Sequence, residues 1–272
     1  MRIRFAFAAL VALGLPAAPV QAGDDDLASK AIVDVLPGWR QSGGAHMAAL
    51  RVRLAPGWKT YWRAPGSAGI PPRFGWNGSR NLQGVTFHWP VPQVFEQNGM
   101  RSIGYADELI LPMELTARDP SAPISLRAEV ELGVCLEICM PLTVRISAEL
   151  PQVKGRAAHP AITSALRNRP ATAAEAGVSE ITCSATPIAD GMRLTASFLM
   201  PSLGAREIAI VELSDQTIWI AEAQTARAGG KITTHADMVP PQAAPFLLDR
   251  SDVRITMLGS KGAVDILGCG VR

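Results

Sequence analysis

The segment from Leu126 to Leu150 has the sequence LRAEVELGVCLEICMPLTVRISAEL, and it decides the fold of the first half of the chain. Before the first cysteine, apolar residues occupy even positions and charged residues occupy odd positions, and the same alternation returns after the second cysteine. A period of two residues is typical of half-buried β-strands. The segment therefore predicts two antiparallel strands joined by a short hairpin, with one apolar face and one polar face.

Two cysteines, Cys135 and Cys139, lie where this hairpin turns, and both fall on the parity of the polar residues. Their sulfur atoms should point to one face, away from the main core. Cross-strand partners have Cβ atoms about 4.5 to 5.5 Å apart, which is near the separation that a disulfide prefers. Such a bond could be a structural link or an exchangeable one. Closing so short a loop stabilises the fold by only about 2 kcal/mol, which makes a purely structural role less persuasive.

The chain has four cysteines, which predict two disulfides if the protein is exported to an oxidising compartment. Three pairings are possible, and the spacing favours Cys135 with Cys139 and Cys183 with Cys269. The second bond would be structural and would contribute about 4 to 5 kcal/mol in the chain-entropy model. The spacings of the cysteines and histidines do not fit a zinc site.

The first 22 residues have the pattern of a signal peptide. Arg2 and Arg4 give a basic start, Phe5 to Leu15 is apolar, and Val20-Gln21-Ala22 is a small-residue cleavage site. A membrane anchor is the alternative, but the apolar run is short and is followed by prolines. Cleavage would lower the 26 basic residues by two, to 24, which equals the 24 acidic residues. Nothing in this balance indicates binding to nucleic acid.

Alternating segments recur on both sides of one interruption. The chain is 48% hydrophobic and 18% charged, with 21 prolines and 24 glycines, which favours many short elements joined by turns. The stretch from Pro151 to Gly177 is rich in alanine, lacks the alternation, and has a plausible short helix at 160–168. We expect an all-β protein with a signal peptide at 1–22, a first module at 23–152, a linker at 153–177 and a second β module at 178–272.

An ordered set of landmarks covers the chain from about Asp34 to Pro151. The landmarks are Trp58-Lys-Thr-Tyr-Trp-Arg63, Pro65-Gly66, Pro71-Pro72, Trp89-Pro90, Gly104-Tyr105, Leu111-Pro112 and Cys135-Leu-Glu-Ile-Cys139-Met-Pro141. This set resembles the N-terminal periplasmic domain of the DsbD family of thiol:disulfide interchange proteins, especially its ScsB-like branch. The resemblance implies two immunoglobulin-like β-sandwich modules joined by an Ala/Pro-rich, partly helical linker.

The resemblance also implies a chemistry for the hairpin cysteines. Cys139 would form the intermolecular disulfide and Cys135 would resolve it, as in a thiol:disulfide oxidoreductase. Electrons would come in trans from a thioredoxin-like domain or a DsbD/ScsB-type membrane donor, because this chain stops before such domains. They would pass to disulfide-bearing client proteins in the periplasm. Sulfur carries the electrons, so no cofactor is expected.

One departure from the family concerns the cover over the disulfide. Family members shield their cysteines with an aromatic cap loop, whereas the corresponding stretch here, Phe95 to Tyr105, has aromatic residues only at its ends. The candidate shielding residues are therefore Phe95, Tyr105 and Tyr61.

The alternative function is a non-catalytic binding module. Cys135, Cys139 and Met140 lie close together in the sequence and are soft ligands suited to Cu(I). Such a module would sequester copper or assist the assembly of a membrane complex without turnover. Isolated methionines are usually packing residues, which favours the exchange function.

Overall fold

A computed structural model describes residues 29–97, 99–152 and 157–271. The segment that the sequence predicts as a signal peptide, 1–22, lies outside these residues. Strands make up nearly all of the regular secondary structure in the described chain, which confirms the all-β prediction. Within the described residues, no helix is long and apolar enough to cross a membrane.

Residues up to Leu150 form a first sandwich of two antiparallel sheets. One sheet has the order β1-β2-β8-β5, and the other has the order β10-β9-β3-β7-β6, with β4 also paired to β9. The strands are β1 Ala31–Arg40, β2 His46–Leu54, β3 Lys59–Tyr61, β4 Arg73–Gly75, β5 Leu82–Phe87, β6 Gln93–Gln97, β7 Met100–Ala106, β8 Glu108–Ala117, β9 Ile124–Cys135 and β10 Cys139–Leu150. Apolar residues from the two sheets, among them Leu50, Trp62, Leu111 and Val130, fill the space between them.

The predicted hairpin is formed by β9 and β10. Its antiparallel register pairs Cys135 with Cys139 and continues without a shift to Ile124 and Leu150. The even-numbered apolar side chains of β9 are buried in the core, and the charged residues Arg127, Glu129 and Glu131 are exposed. The hydrophobic alternation therefore predicted both the register and the buried face.

A helix, α1 (Pro160–Arg167), follows the first sandwich and packs against it. Proline suits the first helical position, because its missing N–H would have no partner there. The fully buried Ile162 contacts a small apolar cluster that includes Leu36, Met47 and Ala49. The backbone N–H of Val91 donates to the Asn168 carbonyl at 2.7 Å. The segment after the first sandwich is thus fixed to it rather than extended away from it.

The rest of the chain forms a second sandwich. Its sheets have the orders β11-β19-β18-β14 and β15-β17-β13-β12-β20, with β16 also paired to β17. The strands are β11 Ala171–Thr172, β12 Ser179–Ile188, β13 Gly191–Leu199, β14 Ile208–Glu212, β15 Trp219–Ile220, β16 Gln224–Ala228, β17 Lys231–Val239, β18 Arg254–Gly259, β19 Gly262–Leu267 and β20 Gly270–Val271. The core of this sandwich includes Phe198, Ile232, Met257 and Ile266.

The two sandwiches share an apolar contact. Leu258 and Ala263 of the second sandwich are buried in the same cluster as the core of the first, and Ile208 and Ile210 pack against that cluster. A hydrophobic contact of this kind limits relative motion of two modules. The apolar cores of the two sandwiches are therefore continuous at this point.

Candidate functional site

The structure joins Cys135 and Cys139 in a disulfide at the turn of the β9–β10 hairpin, with their Cα atoms 4.2 Å apart. The two cysteine residues differ in exposure, because Cys135 is only 2% exposed whereas Cys139 is half-buried. An external thiolate can therefore approach Cys139 more readily than Cys135.

Tyr61 makes the closest polar contact to this disulfide. Its hydroxyl oxygen lies 2.7 Å from Cys139 Sγ. A disulfide sulfur carries no hydrogen, so the hydroxyl is the donor and Sγ the acceptor. Burial raises the pKa of Tyr61 above its ordinary value, which keeps the hydroxyl protonated at neutral pH. Strand β3 brings Tyr61 to the same side of the sheet as the disulfide. Lys59 pairs with Cys135 on β9, and Tyr61 lies two residues after Lys59 on the same face of β3.

The chain between β3 and β4 folds over the polar face of the hairpin. We call residues 64–72 the covering loop. A Cβ atom added to Gly133 would lie 2.6 Å from the Tyr61 ring and 2.7 Å from Ile70 Cβ. One added to Gly69 would lie 2.9 Å from the same ring. The carbonyl oxygen of Ala68 is 3.9 Å from Cys139 Sγ. Two glycines thus give the Tyr61 ring room between the loop and the strand.

This covering loop explains why residues on the polar face near the turn are not exposed. The alternation placed Cys135 on the polar face, and its side chain is indeed outside the main core clusters, but the covering loop and Tyr61 close that face to solvent. The alternation pattern alone did not predict that this loop covers the disulfide. A glycine inside a strand, here Gly133, was the available signal, since it often marks a close approach by another part of the chain.

The three candidate shielding residues have different positions. Tyr61 contacts the disulfide, as described. Phe95 is on the same face of the sheet, but β3 and β7 lie between it and the hairpin, and its ring faces the ammonium group of Lys59 at 5.2 Å. The expectation for Tyr105 is wrong. Its ring stacks on Trp89 in the core, and its hydroxyl donates to the Pro90 carbonyl at 2.8 Å. On β7, Gly104 pairs with Tyr61, so the next residue, Tyr105, lies on the opposite face of the sheet from Tyr61.

The tip of the hairpin beside the disulfide is apolar and open to solvent. Leu136 is 45% exposed and Ile138 is 74% exposed, with Glu137 between them. These two side chains place exposed apolar surface directly beside the disulfide. The soft ligands of the alternative function, Cys135, Cys139 and Met140, also lie here, although the two sulfurs are bonded to each other.

The other two cysteines form a second disulfide, in the second sandwich. Cys183 on β12 is bonded to Cys269, 86 residues later, with a Cα–Cα distance of 5.6 Å. Cys183 is 2% exposed and lies in the core of the second sandwich. Among the described residues, no group of three or more His, Cys, Asp or Glu side chains is placed to hold a metal ion.

Comparison with known proteins agrees with this geometry. Residues 32–151, which span nearly all of the first sandwich, match the family model of the thiol:disulfide interchange protein DsbD, N-terminal. A crystal structure of the N-terminal periplasmic domain of ScsB from Proteus mirabilis is similar, with a TM-score of 0.60 and 22% identity. The match covers 88% of this chain and 92% of that one, so the shared fold extends into the second sandwich. No curated protein sequence matches the chain.

Proposed function

We propose that this chain, whose residues 32–151 form a DsbD-family N-terminal domain, is a periplasmic thiol–disulfide exchange protein that relays electrons through Cys135 and Cys139. The observation that carries the proposal is the asymmetry of the hairpin disulfide. Cys135 is a buried residue, whereas Cys139 is half-buried and its sulfur accepts a hydrogen bond from Tyr61. A core disulfide that only stabilises the fold needs neither an accessible sulfur nor a hydrogen-bond donor.

Reduction of the protein begins when a partner thiolate attacks Cys139 Sγ. A bond forms between the partner and Cys139, the Cys135–Cys139 bond breaks, and Cys135 leaves as a thiolate that takes up a proton. The second thiolate of the partner then attacks the partner's sulfur in this mixed disulfide and releases Cys139. Cys139 is released as a thiolate and the partner ends with a disulfide, so the cysteine pair has gained two electrons and, at Cys135, one proton.

Delivery of the electrons runs through the same sulfur. The Cys139 thiolate attacks a client disulfide and forms a mixed disulfide, and one client sulfur leaves as a thiolate. Cys135 then gives its proton to the departed client thiolate and attacks Cys139 Sγ. The bond between Cys139 and the client breaks, the second client sulfur leaves as a thiolate, and the internal disulfide is restored. The Tyr61 hydroxyl stabilises the Cys139 thiolate by donating a hydrogen bond to it, and hydrogen bonds to charged groups are stronger than those to neutral ones.

The remaining assignments belong to the same proposal. Residues 1–22 act as an export signal, 23–152 carry the redox site, 153–177 link the modules, and 178–272 form the second module, stabilised by the Cys183–Cys269 bond. The electron donor is a thioredoxin-like domain or a membrane protein of the DsbD or ScsB type acting in trans. The clients are periplasmic proteins with disulfides, and the relay uses no cofactor.

A trapping experiment tests which cysteine forms the mixed disulfide. The probe is a thioredoxin-fold protein that keeps one active-site cysteine, linked to thionitrobenzoate. In Cys135→Ser, Cys139 should displace thionitrobenzoate and form a stable covalent complex, visible on a non-reducing gel. In Cys139→Ser, the buried Cys135 should react at least tenfold more slowly. If neither variant forms the complex, and Cu(I) protects the wild-type thiols from alkylation, the binding-module function replaces the relay.

A further inference from the structure

The covering loop touches the second sandwich as well as the disulfide. Ala68, Gly69 and Ile70 face Tyr61 and the hairpin, as their contacts show. The neighbouring Pro65, Gly66 and Ser67 instead line a cavity of about 400 Å³ between the two sandwiches. One short segment thus separates the redox site from the second module.

The base of this loop is held by a buried ion pair across the two modules. Arg63 immediately precedes the loop, and its guanidinium donates two hydrogen bonds to the Glu212 carboxylate, at 2.9 and 3.0 Å. It also donates to Thr256 Oγ1 at 3.1 Å. The side chains of Arg63 and Glu212 are only 15% and 17% exposed. A two-point contact between planar groups fixes orientation as well as distance.

A second set of contacts holds the loop nearer its middle. Glu222 accepts a hydrogen bond from the Ser67 hydroxyl at 3.3 Å and lies 3.5 Å from the guanidinium of Arg101. Arg101 belongs to β7, against which the loop also packs, since a Cβ atom on Gly66 would lie 2.8 Å from the Arg101 carbonyl oxygen. Because a cavity lies behind this part of the loop, polar contacts rather than close packing hold it on that side.

We propose that the second module is part of the exchange site, because it holds the covering loop against Tyr61 and Cys139 and so limits the approach of small thiols to the disulfide. Glu222 and Arg63 are positioning residues in this arrangement. This inference rests on the proposed function only in that it assigns a purpose to the cover. A partner protein that docks on the exposed hairpin tip would reach Cys139 where a free small thiol is hindered.

The experiment measures how fast dithiothreitol opens the Cys135–Cys139 disulfide in the full oxidised chain. Samples are quenched with an alkylating reagent and each disulfide is followed by peptide mass. The variants are Ser67→Ala with Glu222→Ala, which frees the middle of the loop, and Arg63→Lys, which keeps the charge but loses the two-point contact. The control is Glu175→Ala, which also removes an exposed glutamate paired with an arginine. Glu175 follows β11, and β11 and β14 are the two opposite edge strands of one sheet.

We expect the rate to rise two- to fivefold in the double variant and at least as much in Arg63→Lys. The Glu175→Ala rate should equal that of the wild type. Opening of Cys183–Cys269 should stay slow in every variant. General unfolding would expose both disulfides, so a slow second disulfide shows that only the covering loop has been released. Rates within 1.5-fold of the wild type in both loop variants would overturn the proposal. If the variants show these rate increases but the protein does not react with thioredoxin-fold proteins, the relay function is disproved. The proposal that the second module holds the covering loop over the disulfide would still stand.

Discussion

Tyr61 and Cys139 are 78 residues apart in the sequence, and in the folded protein the Tyr61 hydroxyl donates a hydrogen bond to Cys139 Sγ at 2.7 Å. Tyr61 is buried, and Cys139 is the more exposed of the two cysteine residues in the hairpin disulfide. This relationship links the fold of β3 to the reactivity of a residue on β10. It also gives one way to separate a redox site from a structural disulfide.

Replacing Tyr61 with phenylalanine should raise the pKa of the Cys139 thiol in the reduced protein. A hydrogen bond to a charged group is worth about 1.5 kcal/mol or more, which corresponds to roughly one pKa unit. Since the thiolate is the nucleophile, alkylation of Cys139 near neutral pH should slow by up to about tenfold. The rate of iodoacetamide modification as a function of pH gives the pKa.

Tyr105→Phe is the matched control for that substitution. It removes the same atom, but from a hydroxyl that donates to the Pro90 carbonyl in the core. It should reduce stability by about 1 kcal/mol and leave the Cys139 pKa unchanged. An equal Cys139 pKa in Tyr61→Phe and in the wild type would show that the hydroxyl does not act on the thiolate.

Gly133→Ala should displace Tyr61 and the covering loop together. The added methyl group would lie 2.6 Å from the Tyr61 ring and 2.7 Å from Ile70 Cβ, both closer than van der Waals contact. Overpacking of this kind costs about 1 to 3 kcal/mol. We also expect faster opening of the hairpin disulfide by dithiothreitol.

Gly84→Ala provides the comparison for that prediction. Gly84 also lies in a strand of the first sandwich, and an added Cβ there meets no atom within 4 Å. Urea unfolding of both variants measures the difference in stability. If Gly133→Ala matches Gly84→Ala in both urea midpoint and disulfide opening, the account of the cover is wrong.

Glu212→Gln should weaken the pH dependence of stability in the acidic range. Burial raises the pKa of Glu212 above its ordinary value, and Arg63 and Arg254 oppose this shift while Asp265 adds to it. The folded state therefore binds the proton more tightly than the unfolded chain. The resulting stabilisation is complete below the ordinary pKa of 4.5 and is lost as the pH rises through the folded value.

The measurement is the urea midpoint of the wild type and of Glu212→Gln between pH 4 and 7. As the pH rises from 4 to 7, the wild type should lose stability relative to the variant. Glu212 ionises over this range in the wild type, whereas the glutamine of the variant does not ionise. Other carboxylates titrate equally in both proteins, so their contributions cancel in the difference. A difference that is constant with pH, or that changes in the opposite direction, contradicts the raised pKa.

The sequence predicted the parts of this protein that depend on local pattern. Alternation along β9 and β10 placed the hairpin, its buried face and its two cysteines, because the register of a strand pair follows from which residues must be buried. The helix at 160–167 was placed by its flanking prolines and the loss of alternation. These features need no information from distant residues.

The rest depends on contacts between residues far apart in the sequence. Tyr105 was misplaced because its face on β7 is set by pairing with β3, which no local pattern shows. The covering loop was not identified because Ile70 meets Gly133 only after β3 and β4 have both paired with β9. The ion pair of Arg63 with Glu212 spans 149 residues and two modules. Charged residues at such distances carry no signal of each other in a single sequence.

The most direct test of the relay is to mix the oxidised full chain with an equal amount of a reduced thioredoxin-fold protein. After quenching and alkylation, peptide mass reports the state of all four cysteines and of the partner. The account predicts alkylated Cys135 and Cys139, an intact Cys183–Cys269 bond, and an equal amount of oxidised partner. A hairpin disulfide that stays closed, or that opens no faster than Cys183–Cys269, would contradict it.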